Sequence, residues 1–202
     1  MKKLIAVAGS IGSGKSSLIN FLCQNYPVLP IHDVATENPY LADFFTDMQK
    51  WSFHSQIFFL ARKFARFRKI SNSLATVIIS RTIHEDAEIF ARNLYQSGLM
   101  SETDFRTYYE FYLSLADILP KPDLLIYLHS PVNVTRRRLS QRREPFYNII
   151  TDNYLHRLNR LYVNWIADYD QSEVLIIDTK QLDFVNNLVD RADLLESIER
   201  YI

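Results

Sequence analysis

The stretch Leu4-Ile5-Ala6-Val7-Ala8-Gly9-Ser10-Ile11-Gly12-Ser13-Gly14-Lys15-Ser16-Ser17 decides the fold. Its first five residues form an unbroken apolar run of strand length, as expected for a strand buried on both faces of a parallel sheet. Gly9 to Ser16 then meets every fixed position of G-x-x-x-x-G-K-[ST], a loop whose backbone N–H groups curl around phosphate oxygens. Gly9, Gly12 and Gly14 permit that curl and keep Cβ atoms out of the phosphates' way. From Lys15 to Asn25 the apolar residues Leu18, Ile19, Phe21 and Leu22 recur at helical spacing. The positive end of that helix would face the same anion. Lys15 is placed to reach the β- and γ-phosphates, and the Ser16 hydroxyl to bind Mg²⁺. Strand, loop and helix in this order predict a nucleoside triphosphate site built from Gly9, Ser10, Ile11, Gly12, Ser13, Gly14, Lys15, Ser16 and Ser17.

Outward from this loop, the chain alternates between short apolar runs and longer helical patterns. Val28–Ile31, Ala75–Ile79, Leu124–Leu128 and Val174–Ile177 read as four further strands. Helices are expected over 44–70, 85–95, 102–119, 132–140, 152–168 and 188–202, the third of them stopped by Pro120 and Pro122. Five apolar strands separated by helices imply an α/β domain of three layers, a parallel sheet covered on both faces. The 202 residues, 48% hydrophobic and 23% charged, suit one globular domain spanning 1–202. Lys plus Arg and Asp plus Glu balance at 23 each, so no nucleic-acid partner is expected. The lone Cys23 rules out an internal disulfide framework and fits a reducing cytoplasm, and its apolar helical setting makes it a packing residue. Met1-Lys2-Lys3 and the apolar run after it are too short for a signal peptide, and no stretch approaches a membrane span.

A P-loop does not name the phosphate acceptor. Several ordered segments narrow it: Asn38-Pro39-Tyr40-Leu41, Trp51-Ser52-Phe53-His54-Ser55-Gln56, Arg81-Thr82-Ile83-His84-Glu85-Asp86 with Ile89-Phe90-Ala91, Lys121 to Leu128, and the arginine cluster Arg136 to Arg143. Together they resemble the deoxynucleoside kinase family, nearest its bacterial deoxyadenosine/deoxyguanosine branch. The resemblance implies a P-loop kinase fold with a small arginine-bearing lid at about 138–150. It implies transfer of the γ-phosphoryl of ATP, with Mg²⁺, to the 5′-hydroxyl of a purine-leaning deoxynucleoside in nucleotide salvage. It also implies a homodimer packed through helices. Carried over residue by residue, Asp33 becomes the base toward the 5′-hydroxyl, and Arg81 holds the reacting groups. Gln56, Lys63, Asp86 and Phe90 meet the nucleoside base, and Phe45 and Tyr147 fall where the family binds the sugar. Arg138, Arg142 and Arg143 would close over the triphosphate and offset charge developing during transfer. A solvated basic helix face is the other reading of those arginines. An amide such as that of Gln56 can both donate to and accept from a base edge.

This chain departs from the family at several of these positions. Asp33 stands for a glutamate one methylene longer, and Ser80 for an Asp or Glu that serves Mg²⁺. Phe45 stands for a tyrosine and Lys63 for an arginine. Arg142-Arg143-Glu144 replaces Arg-Gly-Arg, so either Glu144 takes the place of an arginine and Tyr147 that of a glutamate, or a one-residue deletion restores Arg143. Two functions follow: a nucleoside kinase with altered substrate use, or a weakly active nucleotide-binding paralogue serving as a regulatory or heterodimer subunit.

Overall fold

The computed structural model describes residues 3–70, 73–141, 149–180, 182, 184 and 187–202. Five strands, β1 (Leu4–Gly9), β2 (Leu29–Ile31), β3 (Val77–Ser80), β4 (Leu124–His129) and β5 (Glu173–Asp178), form one parallel sheet in the order β2-β3-β1-β4-β5. All neighbours run parallel, with Val7 opposite Ser80 on one side and Gly9 opposite Leu128 on the other. β1 is therefore central, and the chain crosses from β1 to one edge and from β3 to the other. The crevice at the carboxyl ends of β1 and β3 is where such sheets place ligands.

Alternation along β1 divides the core, because successive side chains of a strand point to opposite faces. Leu4, Ala6 and Ala8 pack on one face with Phe67, Ile89, Phe90 and Leu158. Ile5 and Val7 pack on the other with Leu18, Ile19 and Leu22 of α1 (Lys15–Asn25) and Leu194 and Ile198 of α9 (Leu188–Glu199). Burying each such aliphatic side chain contributes roughly 1.5–3 kcal/mol. Cys23 is half-buried against this second face, and burial raises its thiol pKa, in keeping with a packing role.

The helical segment expected over 44–70 is two helices, α2 (Leu41–Thr46) and α3 (Met48–Ile70). They part at Asp47, whose backbone leaves the helical region at φ −143 and whose carboxylate accepts from the Lys50 N–H. The helix expected from Glu85 begins earlier, at α4 (Ile83–Glu85). Thr82 Oγ1 accepts from Glu85 N and the Glu85 carboxylate from Thr82 N, a reciprocal cap. It continues through a π-helical turn, Asp86–Ala91, into α5 (Arg92–Gln96). α6 (Glu102–Ala116) packs Tyr108, Tyr112 and Leu115 on this stretch and on Leu60 of α3. α7 (Val132–Ser140) and α8 (Asp152–Ala167) complete the fold near the loop after β1. Among the described residues no helix is long and apolar enough to cross a membrane.

Candidate active site

Gly9 ends β1 at φ +144, a conformation that L side chains rarely adopt. A Cβ there would stand 2.8 Å from the Leu128 carbonyl oxygen and 2.7 Å from Ser13 Oγ, so only glycine lets β1 and β4 close at this point. Gly14 has space around it; its φ of +106, needed to turn the loop into α1, is what excludes other residues. Lys15 Nζ donates to the carbonyls of Gly9 (2.7 Å) and Ser10 (2.8 Å). Burial, reinforced by the charge of Arg81, lowers its pKa to about 7 against the pull of Glu85 and Asp33. Ile11, Gly12, Gly14, Lys15 and Ser16 line one end of a cavity of about 220 Å³. Ser10 and Ser13 are buried within the loop wall, and Ser17 is exposed on α1.

The other end of the cavity is built by the segments after β2 and β3 and by α2, α3 and α8. Asp33, Gln56, Ser80, Arg81, Phe90 and Tyr154 are among its lining residues. Arg81 follows β3 at φ +59, the sole non-glycine with positive φ among the described residues, at a cost of order 1–3 kcal/mol. That backbone sets its guanidinium 4.3 Å over the Phe90 ring and 3.0 Å from Asp33 Oδ2. Burial would raise the Asp33 carboxyl, but Arg81, Lys63 and Lys15 outweigh it and hold its pKa at about 2. Four buried polar atoms of this wall, Asp33 Oδ1, Gln56 Oε1, Ser80 Oγ and Arg81 Nε, have no hydrogen-bond partner among the described residues. Buried polar groups are nearly always satisfied, so four at one cavity mark a ligand site.

Phe45 also lines the cavity, its ring edge-on to Phe44. Lys63 and Asp86 pair with each other at 2.6–2.7 Å, both about 95% buried, and neither lines the cavity. Burial pushes the Asp86 carboxyl up to about 6, although Lys63 and Arg81 pull it down. Arg138 lies under the loop: Nη1 donates to Ser13 O (3.0 Å) and Thr179 Oγ1 (3.1 Å), and Nη2 to Thr179 O (3.1 Å). It is a strut between the loop and the end of β5, where the sequence suggested an arm over the triphosphate. Arg142, Arg143 and Tyr147 lie outside the described residues. Tyr154 is a cavity residue that sequence reasoning missed, since its helical spacing with Leu155 and Leu158 reads simply as core.

A model of the deoxynucleoside kinase family matches residues 5–202. The chain is 32% identical over 186 residues to the deoxyadenosine/deoxycytidine kinase of Bacillus subtilis, covering 91% of this chain and 86% of that protein. It is 32% identical over 206 residues to the deoxyguanosine kinase of Lactobacillus acidophilus, covering 96% and 89%. Its fold is similar to that of M. mycoides deoxyadenosine kinase solved with dATP, at a TM-score of 0.86 and 24% identity over 97% of this chain and 99% of that one. With the loop, the strand order and the two-ended cavity all in agreement, this chain belongs to the deoxynucleoside kinase family.

Proposed function

We infer that this protein is an ATP-dependent deoxynucleoside kinase, transferring the γ-phosphoryl group to the 5′-hydroxyl of a purine-leaning deoxynucleoside in nucleotide salvage. The observation that carries this reading is the single cavity joining Lys15 and Ser16 at one end to Asp33, Arg81 and Gln56 at the other. ATP is assigned to the loop end, and Gln56 and Phe90 to the base, one by hydrogen bonding and one by stacking. Asp33, ionised at neutral pH, accepts the hydrogen bond of the 5′-hydroxyl and orients it. A carboxylate with a pKa of about 2 is a weak base, so the proton passes late, once the bridging oxygen has become acidic. That suits a loose phosphoryl-transfer transition state, which asks for positioning more than deprotonation. Arg81 and Lys15 stabilise the charge that builds on the transferring oxygens.

The residues present fit Mg²⁺. Ser16, Ser80 and Asp33 bring hard oxygen donors to one cavity, two of them with buried, unpartnered oxygens. Mg²⁺ is usually held by one or two carboxylates together with phosphate oxygens and water. When bound there it would neutralise triphosphate charge. Arg142, Arg143 and Tyr147 are assigned to a lid at about 138–150 within a single domain of 1–202. A homodimer through helices is supported by half-exposed Phe111 and Leu113 of α6 and by exposed Ile118 just beyond it. Cytoplasmic work is supported by the lone Cys23.

The test is transfer of labelled γ-phosphate from ATP and Mg²⁺ to each of the four deoxynucleosides. Turnover on at least one purine deoxynucleoside is expected. ATP binding with no turnover on any would overturn the kinase reading and leave a nucleotide-binding regulatory subunit. Ser80→Asp with Phe45→Tyr should raise turnover on the best substrate about tenfold or more, by adding a carboxylate for Mg²⁺ and a hydroxyl facing the cavity. No gain would mean that neither position limits the reaction.

A further inference from the structure

Glu85 and Tyr162 have no role in the chemistry above, yet both are wholly buried against the first residue of the P-loop. Glu85 Oε2 accepts from Thr82 N at 2.9 Å, and Oε1 accepts from Gly9 N at 3.2 Å. The Tyr162 hydroxyl stands 2.9 Å from Glu85 Oε1 and 2.8 Å from the Gly9 carbonyl oxygen. A phenol has one proton, so it can serve only one of these acceptors at a time. The Gly9 carbonyl meanwhile accepts a charged hydrogen bond from Lys15 Nζ. Two donors therefore compete for one buried carbonyl, and the donor that can be spared has a second acceptor at hand.

Lys15 cannot keep both its loop carbonyls and the phosphates of ATP. If it leaves, the Gly9 carbonyl loses a charged donor in a buried place, which is costly unless another donor replaces it. We propose that Tyr162, held by Glu85, is a positioning residue for Lys15, its hydroxyl proton turning from Glu85 Oε1 to the Gly9 carbonyl as Lys15 leaves for the triphosphate. The proposal rests on the reading of the loop as the ATP site. Glu85 keeps the Gly9 N–H throughout, so the peptide that starts the loop stays fixed while the lysine is released. The Tyr162 ring is locked for this task by stacking on Tyr127 and by edge contacts with Phe90 and Trp165.

The test is a double-mutant cycle on ATP affinity, read by calorimetry, with Tyr162→Phe, Lys15→Met and the pair. Phenylalanine keeps every ring contact, so the fold is retained. Tyr162→Phe should weaken ATP about tenfold while Lys15 is present, and less than about twofold in the Lys15→Met background, where the carbonyl's partner no longer changes on binding. The KM for the deoxynucleoside should not move. Tyr127→Phe removes a neighbouring hydroxyl and should leave ATP affinity unchanged. Equal effects in both backgrounds, as a merely structural hydroxyl would give, overturn the proposal, and so does no effect in either. Failure of the parent protein to bind ATP would instead remove the loop's assignment, and this proposal with it. In the unmodified protein the Gly9 amide should be equally protected from hydrogen exchange with and without ATP, and loss of protection on adding ATP would also overturn it.

Discussion

Asp33→Asn exchanges a carboxylate for an amide of the same shape and removes one negative charge from between Arg81, Lys15 and Lys63. The size of the effect follows from the carboxyl's pKa, held at about 2 against an ordinary 3.8. A pKa depressed in the folded state adds stability that is complete above the unfolded value and lost as pH falls through the folded one. The difference of nearly two units corresponds to about 2 kcal/mol at pH 7, or about 4–8 °C in Tm for a domain of this size. Near pH 3, midway through the transition, about half of that remains. Thermal unfolding of parent and variant should therefore differ by several degrees at pH 7 and converge as the pH drops from about 4 toward 2. Turnover of the variant should fall by about a hundredfold, the lower end for a lost acid–base group, because the residue orients the hydroxyl more than it deprotonates it. A stability deficit independent of pH would refute the electrostatic account. Unchanged kcat would refute the assignment of Asp33 to the acceptor.

Two further outcomes are expected. Gly9→Ala forces a Cβ to within 2.8 Å of the Leu128 carbonyl at φ +144, so it should cost at least about 2 kcal/mol and sharply weaken ATP binding, read by thermal shift with and without nucleotide. Lys63→Met leaves the Asp86 carboxyl buried without its cation. Because the folded-state pKa of Asp86 is raised, to about 6 in the parent, it stabilises the fold below its ordinary value and that contribution is lost as pH rises. Urea unfolding should accordingly show parent and variant close at about pH 4 and apart by roughly 2–3 kcal/mol at pH 8.

The sheet and the loop were legible because their causes are local. An apolar run, glycines at fixed spacing and a helical repeat each declare themselves within about a dozen residues. The Thr82 to Glu85 cap was equally open to reading, as a T-x-x-E pattern. Where local cues competed, the boundary slipped: aromatic residues on both sides of Asp47 share a helical period, and the break depends on the backbone at that one residue. The site's long-range contacts were not legible. Tyr162 meets Gly9 across 153 residues of chain, and Arg138 meets Ser13 across 125. In sequence, Tyr162 is one more apolar position of α8 and Arg138 one of a run of basic residues. Their partners are set by the strand order, which no spacing encodes.

The π-helical turn at Asp86–Ala91 carries a consequence for how this chain can change over time. A widened turn holds one residue more than an α-helix would over the same rise. Dropping any one residue there would rotate everything downstream by about 100°. Buried Asn93, which accepts from Arg157 at 3.1 Å, and buried Leu94 would swing off their inward face while Asp86 upstream kept its lysine. Side chains in this turn are thus freer to be exchanged than the turn is to be shortened. An alignment gap within it in a relative would signal a reshaped pocket even where every site residue still matched.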